Sequence, residues 1–376
     1  MTISVDPVAR LDDLDQVGWD TLTAHGDFYV SSTGLRIYEE LYPREAGYLR
    51  AVEDGRMVAA LAWYRLDADS RPSPFTRPDR LLARMVEASG NQAVEEDLYP
   101  LLPAMLCGGR AAGPSRLLRA PGPPGDQARW LAATIAAGSA LAAERGAASL
   151  CMPYVDVADS ELCAALRGDG WTQIATDSYY LLDVTWPDFD GYLAGLPAKR
   201  RTSVRRELTR LGEEGIGLGS ERADGTLIGE MADLAVNLKR RHGSPRTAAD
   251  IAESISAFVR QAGDSYLVTT ARHEGRLVGY CFFLRWRDEL YGRDAGFDYA
   301  VQEERNVSLY FPTVFYEAAR ISPELGVTTV HYGVGSDGAK LSRRSRGIAQ
   351  AGFFKPLTDA ASGVLSRYAP LCGAAC

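Results

Sequence analysis

The densest cluster of reactive side chains in the sequence is a positively charged segment at 197–211. It carries six cations against a single acid, in a chain whose net charge is −8. The cations are Lys199, Arg200, Arg201, Arg205, Arg206 and Arg210. Val204, Leu208 and Leu211 recur at helical spacing, which predicts an amphipathic helix. Like charges four residues apart on such a helix repel by about 0.2–0.5 kcal/mol per pair. The segment therefore indicates binding of phosphates from tRNA, CoA or a nucleotide-linked substrate, or else a solvated face paired with acids elsewhere.

A second cluster lies near the C-terminus, at 338–355, with five cations and no acid. It is preceded by three glycines, Gly333, Gly335 and Gly338. Glycines allow the backbone to approach a ligand closely, and Lys340 with Arg343 or Arg344 could then bind phosphate or a developing oxyanion. Lys340 is the principal catalytic candidate, because the chain has only four lysines and arginine is its usual cation. A surface loop is the alternative interpretation.

The strand-like sequence LYGRDAGFDYA adds three polar candidates. Strict alternation places Tyr291 and Arg293 on one face and Asp294 on the other. Asp294 could accept the proton of an attacking amine, or it could pair with a nearby cation. Tyr332 and Tyr310 are possible proton donors or substrate contacts, although tyrosines in such elements usually pack in the core.

Other kinds of reactive site are not indicated. The six cysteines form no CxxC pair and no histidine lies at a ligand spacing from them, which argues against a metal site or a disulfide framework. His242 follows a basic helix end and is the one histidine considered for substrate binding, although cations there also complement the helix dipole. Without a Ser/His/Asp or Cys/His arrangement, no covalent acyl-enzyme is indicated.

The elements that must position these residues occur twice along the chain. Residues 48–64 and 266–283 each read as strand, Asp-Gly or Glu-Gly turn, strand. Residues 128–155 and 308–334 each read as a helix, a stop at glycine and a strand. The repeated order indicates duplication, and two unrelated α/β domains with similar turns remain the alternative.

The predicted division is 1–185 and 186–376. A strand at 171–184 would close the first unit, before Trp186-Pro187 breaks the chain. The fold class is α/β (α+β), with two mixed, mostly antiparallel sheets flanked by helices.

The order of features in the second half resembles a known superfamily. A basic helix follows Leu-Pro, then come the hairpin EGRLVGYCFF, the strand LYGRDAGFDYA, the helix SLYFPTVFYEA, a strand ending Tyr332-Gly333, and GVGSDGAKLSRRSRG. This is similar to the GNAT superfamily in its tandem form, as in Fem-type peptidyltransferases and the related peptidoglycan biosynthesis/recognition and BioF2-like acetyltransferase families. The resemblance implies a degenerate first unit, chemistry in the second, and a Lys-x-x-Arg-like element at 340–343 beside the acceptor site.

One segment departs from the acyl-CoA-dependent members of the superfamily. Their glycine-rich loop holds pyrophosphate through backbone N–H groups. The matching place here reads QEERNVS at 302–308, without glycine and with two carboxylates. This favours a donor held in another way, as in the Fem-type enzymes that use aminoacyl-tRNA. No tightly bound cofactor is expected.

The leading hypothesis is an amide-forming aminoacyltransferase. Aminoacyl-tRNA would supply the acyl group, and the acceptor would be the amine of a small molecule or peptide in a cell-wall or specialised-metabolite (antibiotic) pathway. The alternatives are an acyl-CoA-dependent N-acetyltransferase and a non-catalytic double-GNAT binding protein. No apolar stretch is long enough to span a bilayer, and the polar N-terminus is unlike a signal peptide, so a cytoplasmic location is expected. The oligomeric state stays open.

Overall fold

The structure is a computed structural model that describes residues 3–24, 26–43, 46–70, 75–241 and 246–373. The chain forms two compact units. Unit 1 comprises residues 1–179 and 348–376, and unit 2 comprises residues 180–347. The predicted division into 1–185 and 186–376 is corrected by this arrangement, because the last segment of the chain packs in unit 1.

Unit 1 is built around a mixed sheet. Before the chain enters unit 2, its described residues form seven strands of unit 1: β1 (Ser4–Val8), β2 (Ala46–Glu53), β3 (Arg56–Leu66), β4 (Ala104–Cys107), β5 (Leu118–Arg119), β6 (Ser149–Asp156) and β7 (Thr172–Ala175). Its helices are α1 (Gln16–Thr21), α2 (Ser32–Leu41), α3 (Pro78–Ala88), α4 (Glu95–Leu98), α5 (Pro124–Glu144) and α6 (Ser160–Gly168). Strands β1 to β4 are antiparallel neighbours, whereas β4 and β6 are parallel.

Unit 2 has a seven-stranded sheet in the order β14-β8-β13-β12-β11-β10-β9. The strands are β8 (Tyr179–Asp183), β9 (Ile216–Glu221), β10 (Tyr266–His273), β11 (Arg276–Trp286), β12 (Glu289–Phe297), β13 (Thr329–Val334) and β14 (Arg346–Ile348). The helices are α7 (Phe189–Ala194), α8 (Ala198–Glu213), α9 (Gly225–Arg241), α10 (Ala248–Ala262), α11 (Tyr299–Arg305), α12 (Glu317–Ile321) and α13 (Asp337–Leu341). A π-helical segment, Pro312–Tyr316, leads directly into α12.

The chain then returns to unit 1. Strand β15 (Gln350–Pro356) lies between β6 and β7 and is antiparallel to both, and α14 (Asp359–Tyr368) follows it. The strand predicted at 171–184 is two strands: β7 belongs to the sheet of unit 1, whereas β8 belongs to the sheet of unit 2.

The two predicted hairpins are confirmed. Strands β2 and β3 join through Asp54-Gly55, and β10 and β11 join through Glu274-Gly275. All four turn residues have positive φ, between 51° and 80°. Such turns match the twist of antiparallel strands, and Gly adopts them without steric cost.

Helix α8 packs its apolar side into the core of unit 2. Val204 and Leu211 are buried there with Leu290 and Phe315. The helix is amphipathic, as its sequence predicted. Within the described part of the chain, no helix is both long and apolar enough to cross a membrane.

Strands β12 and β13 diverge in unit 2. They are parallel neighbours from Glu289 to Tyr291 on β12, opposite Thr329 to His331 on β13. Beyond Tyr291, β12 continues beside β11 alone, while β13 runs on to Val334. On the side that faces β12, the backbone of β13 past His331 is therefore left for other groups to satisfy.

Candidate active site

Lys340 lies at the free end of β13. Its ammonium donates hydrogen bonds to the carbonyl oxygens of Gly333 (2.9 Å) and Val334 (2.8 Å) and lies 5.1 Å from the centre of the Tyr180 ring. Gly333 and Gly335 have φ values of +70° and +73°, which let the chain turn back so that α13 carries the lysine to these carbonyls. Lys340 is 3% exposed, so its side chain is removed from solvent at the end of β13.

Two tyrosines predicted from sequence adjoin this strand end. Tyr332 precedes Gly333, and its ring packs 4.5 Å from Phe315, which also contacts Tyr310 at 5.7 Å. Among the described residues, the buried hydroxyl of Tyr332 has no hydrogen-bond partner. Burial, with nearby Tyr192 and Cys281, raises the pKa of Tyr332 well above its ordinary value. Burial also raises the pKa of Tyr310. Both phenols are therefore held protonated, as a proton donor must be.

Arg343 is close to the same aromatic cluster and is buried, with 1% of its surface exposed. Its guanidinium carbon lies 3.3 Å from the centre of the Phe311 ring. It donates to the hydroxyl of Tyr316 from Nε and Nη2, and to the carbonyl oxygen of Ala339 from Nη1. The carboxylate of Glu207 on α8 accepts from the Tyr316 hydroxyl and lies 3.9 Å from Nη2 of Arg343. The two predicted basic clusters thus meet through Glu207.

Arg344 lies apart from this cluster. Its guanidinium carbon is 5.2 Å from the Trp186 ring, and it contacts the hydroxyl of Thr185 at 3.4 Å. It therefore packs beside α7, and the structure does not bring it to Lys340.

The basic side of α8 divides into compensated and uncompensated cations. Arg210 pairs with Glu214 at 2.8 Å, and Arg201 donates to the carbonyl oxygen of Ala194. Among the described residues, four cations have neither an ion pair nor a hydrogen bond: Lys199, Arg200, Arg205 and Arg206. Arg205 and Arg206 share one exposed helix face with Thr202, Thr209 and Arg210, and Glu213 borders this face at its C-terminal end. This face, called the α8 basic face below, is open to an anion.

The polar residues of β12 lie on the opposite side of the sheet. Tyr291 is directly opposite Leu284, and Asp294 is directly opposite Phe282, with the register shifted between them. The predicted alternation is therefore wrong: Arg293 is the extra residue of a β-bulge, which returns Asp294 to the face of Tyr291.

Arg293 and Asp294 both contact side chains of the helices on that face. Asp294 pairs with Lys239 of α9 at 3.0 Å, and the Arg293 guanidinium stacks 4.6 Å from the Phe258 ring of α10. Tyr291 stacks on His331 at 4.0 Å and donates to Glu289. The structure thus groups Lys340, Tyr332, Tyr310 and Arg343, and separates them from Tyr291, Arg293 and Asp294. The predicted His242 lies outside the described residues.

Several N–H groups within and just after the segment 302–308 are already hydrogen-bonded. The Gln302 side chain accepts from the N–H of Leu309 at 2.8 Å, and its carbonyl oxygen accepts from the N–H of Val307. Glu303 and Glu304 are exposed beside it. A pyrophosphate would meet two carboxylates and fewer free donors here, which disfavours it.

Sequence reasoning missed Glu207, Tyr316 and Gln302. Glu207 carried a signal: it is three residues after Val204 and four before Leu211, so it shares the apolar side of a basic helix. A carboxylate in that position requires a buried partner. Nothing in the sequence marks Tyr316 as that partner. No group of three or more His, Cys, Asp or Glu side chains in the described ranges could hold a metal ion.

Two mostly antiparallel sheets, each with one parallel strand pair and flanking helices, are the fold of tandem GNAT-like proteins. The chain belongs to the FemAB-like family of peptidoglycan biosynthesis/recognition proteins, whose family model matches residues 15–354. It is accordingly an acyltransferase. Among curated proteins, none matches its sequence significantly.

Solved structures show the same architecture. FemX superposes with a TM-score of 0.62 at 11% identity, over 97% of this chain and 99% of that chain. A conserved protein of unknown function from Bacteroides thetaiotaomicron has a TM-score of 0.52 at 14% identity, over 94% and 99%. A tandem GNAT protein from the clavulanic acid biosynthesis pathway has a TM-score of 0.51 at 13% identity, over 94% and 98%. At these identities the likeness concerns the fold.

Proposed function

We propose that the protein transfers an aminoacyl group from aminoacyl-tRNA to the amine of a small-molecule or peptide precursor, in a cell-wall or specialised-metabolite pathway. The observation that carries this proposal is the α8 basic face. Arg205 and Arg206 of this face have no acidic partner among the described residues, and α8 contacts the Lys340 region through Glu207. A partner with phosphates spaced along a backbone suits such a face.

The donor choice is supported by the segment 302–308. The N–H groups of Val307 and Leu309 are taken by Gln302, and Glu303 and Glu304 add negative charge. A CoA pyrophosphate bound there would be repelled, whereas tRNA can be held by its own phosphates on α8.

The transfer itself needs few protein groups. The neutral amine attacks the ester carbonyl, a C–N bond forms, and the C–O bond to the ribose breaks. The amine loses one proton and the departing ribose oxygen gains one. The buried Lys340 ammonium is suited to stabilise the oxyanion, and the protonated hydroxyl of Tyr332 to supply the proton. Positioning of the two substrates contributes much of the remaining rate.

The double variant Arg205→Ala/Arg206→Ala tests the proposal. Each lost phosphate contact should lower the slope of log affinity for charged tRNA against log salt by about 1. Filter binding between low and physiological salt measures that slope. Arg56→Ala/Arg167→Ala, which removes two exposed arginines of unit 1, is the matched control and should leave it unchanged.

Three outcomes contradict the proposal in different ways. Product formation that survives ribonuclease excludes tRNA as donor. A rise in Tm with acetyl-CoA but not with tRNA favours the acyl-CoA alternative. Binding without any transfer favours a non-catalytic protein.

A further inference from the structure

Arg343 is an unusual residue to find in the core of unit 2. Its side chain is among the largest fully buried ones in the chain, enclosed by Phe311, Phe315 and Tyr316. Removing a guanidinium from water is costly, and an apolar side chain of similar size in such a cage is often neutral or stabilising. Stability alone therefore does not account for an arginine here.

The guanidinium makes hydrogen bonds in fixed directions, which an apolar side chain cannot make. Nη1 holds the carbonyl oxygen of Ala339 at 3.2 Å and the hydroxyl of Ser342 at 3.0 Å. Nε and Nη2 hold the Tyr316 hydroxyl at 3.3 and 3.1 Å. That hydroxyl in turn donates to Glu207, so it is fully used as acceptor and donor. Burial and Glu207 together raise the pKa of Tyr316, which keeps this donor protonated.

The element held in this way is weak by itself. Helix α13 is five residues long, and its N-cap residue, Ser336, is left-handed and makes no side-chain cap. So short a helix has little intrinsic stability, and its placement depends on tertiary contacts. Lys340 projects from α13, next to the carbonyl group that Arg343 holds.

The contacts of Arg343 continue through Tyr316 to α8, and the local helix geometry places Tyr316 for this. The π-helical segment Pro312–Tyr316 brings Tyr316 between Arg343 and α8. Such segments add a residue to a helical turn and are frequent at functional sites. Glu207 is also the single acid among the cations of the 197–211 segment, directly after Arg206.

We propose that Glu207, Tyr316 and Arg343 are positioning residues for the transfer step. They fix α13 to α8, so that Lys340 is held at the end of β13 in a constant relation to the helix that binds the donor. Arg343 is thereby assigned to this network instead of to substrate contact. The assignment rests on the proposed function for the role of Lys340, but the anchoring itself does not.

Tyr316→Phe and Glu207→Gln test the network in the full-length protein. Each should lower kcat at saturating donor by about tenfold to a hundredfold, because small misplacement of a catalytic group has effects of that size. The donor KM should stay within about twofold. The double variant should be no slower than the slower single variant, since residues in one network are not additive.

Tyr266→Phe and Glu324→Gln are the controls in the same unit. Tyr266 loses a comparable hydroxyl bond, to the carbonyl oxygen of Ala223, and Glu324 is exposed. Both should keep kcat. Arg343→Met combined with Glu207→Gln fills the cage without the directional bonds and leaves no unpaired carboxylate, so it should fold with a Tm close to wild type and still show the loss of kcat.

Amide exchange of residues 337–344 in the free protein gives a readout that needs no donor. Exchange should be faster in Tyr316→Phe and Glu207→Gln than in the controls. If wild-type protein transfers nothing from tRNA but exchange responds, the proposed function fails and the anchoring stands. Unchanged exchange, or a lower Tm with kcat unaltered, overturns the network.

Discussion

The two units use the same position, the end of a short parallel strand pair, in opposite ways. In unit 1, β4 and β6 are paired at 104–106 and 149–151. After β4 the chain forms a loop and then pairs with β3 as strand β5. In this loop the N–H of Ser115 bonds to the carbonyl oxygen of Tyr154 on β6, so the main chain of the loop fills the gap between β4 and β6. In unit 2, Lys340 bonds to main-chain carbonyl oxygens at the end of β13, the second strand of the parallel pair.

The two units also differ in how they hold a lysine: Lys355 of unit 1 is partly buried, and Lys340 of unit 2 is buried. Lys355 of unit 1 pairs with the carboxylate of Asp169 at 2.6 Å and contacts the hydroxyl of Ser139. Lys340 of unit 2 bonds to two backbone carbonyl oxygens. A carboxylate neutralises the charge of Lys355, whereas main-chain carbonyl oxygens hold the amino group of Lys340 in place. Unit 1 thus pairs its lysine with an acid, and unit 2 holds its lysine at the end of β13.

Lys340→Met and Lys355→Met give the strongest test of this difference. We expect Lys340→Met to lower kcat by about 10²–10³, the usual effect of removing one oxyanion-stabilising group. Lys355→Met should lower Tm, because it leaves Asp169 without its partner, and should keep kcat. Steady-state kinetics and thermal unfolding measure both. Equal kcat values for the two variants would remove the distinction between the units.

Tyr332→Phe and Tyr64→Phe form the next pair. Among the described residues, both tyrosines have buried hydroxyls without a hydrogen-bond partner. Removing such a hydroxyl should leave Tm unchanged or raise it slightly in each case. Only Tyr332→Phe should slow transfer, by about 10², because a general acid contributes at least that much. A Tyr332→Phe variant with wild-type kcat would assign the proton to another group.

The smallest expected effect is a difference between the two units in how their stability depends on pH. In unit 2, burial raises the pKa of Glu317 despite Arg320 nearby. A raised pKa means that the folded state binds the proton more tightly, so stability falls as pH rises through that pKa. Glu317→Gln should therefore raise Tm by about 2 °C at pH 7 and not below pH ~4.

Asp159 of unit 1 should behave in the reverse way. Burial alone would raise its pKa, but Arg119 and the N–H of Leu162 outweigh burial and hold the pKa below its ordinary range. Its stabilisation is present above the unfolded pKa and is lost as pH falls through the folded one. Asp159→Asn should therefore lower Tm at pH 7, with a smaller difference near pH ~3. If Glu317→Gln and Asp159→Asn changed Tm at pH 7 in the same direction, the opposite pKa shifts of the two carboxyl groups would be contradicted.

Local sequence signals predicted much of the fold. The Asp54-Gly55 and Glu274-Gly275 turns and the amphipathic α8 depend on neighbouring residues alone, and they were predicted correctly. The placement of β15 could not be predicted, because nothing in Gln350–Pro356 encodes which sheet it joins. The bulge at Arg293 likewise depends on the partner strand.

The candidate site was predicted by residue type more than by geometry. Lys340 and Tyr332 do lie together at the end of β13, as glycine turns and an isolated lysine suggested. The role of Arg343 could not be read from the sequence, because it depends on Tyr316 and Glu207, which are 27 and more than 100 residues away. Contacts at such separation are set by packing, not by local pattern.

The return of β15 to unit 1 has a consequence for biosynthesis. Strand β7 has β15 as its neighbour in the sheet, and β15 also completes β6. During translation, the edges of β6 and β7 that bind β15 stay unpaired until all of unit 2, and then β15, have emerged from the ribosome. Unit 1 is therefore not encoded by one continuous stretch of the gene, although unit 2 is. A chain cut after residue 179 would lack β15 and would leave unit 1 with strand edges prone to aggregation.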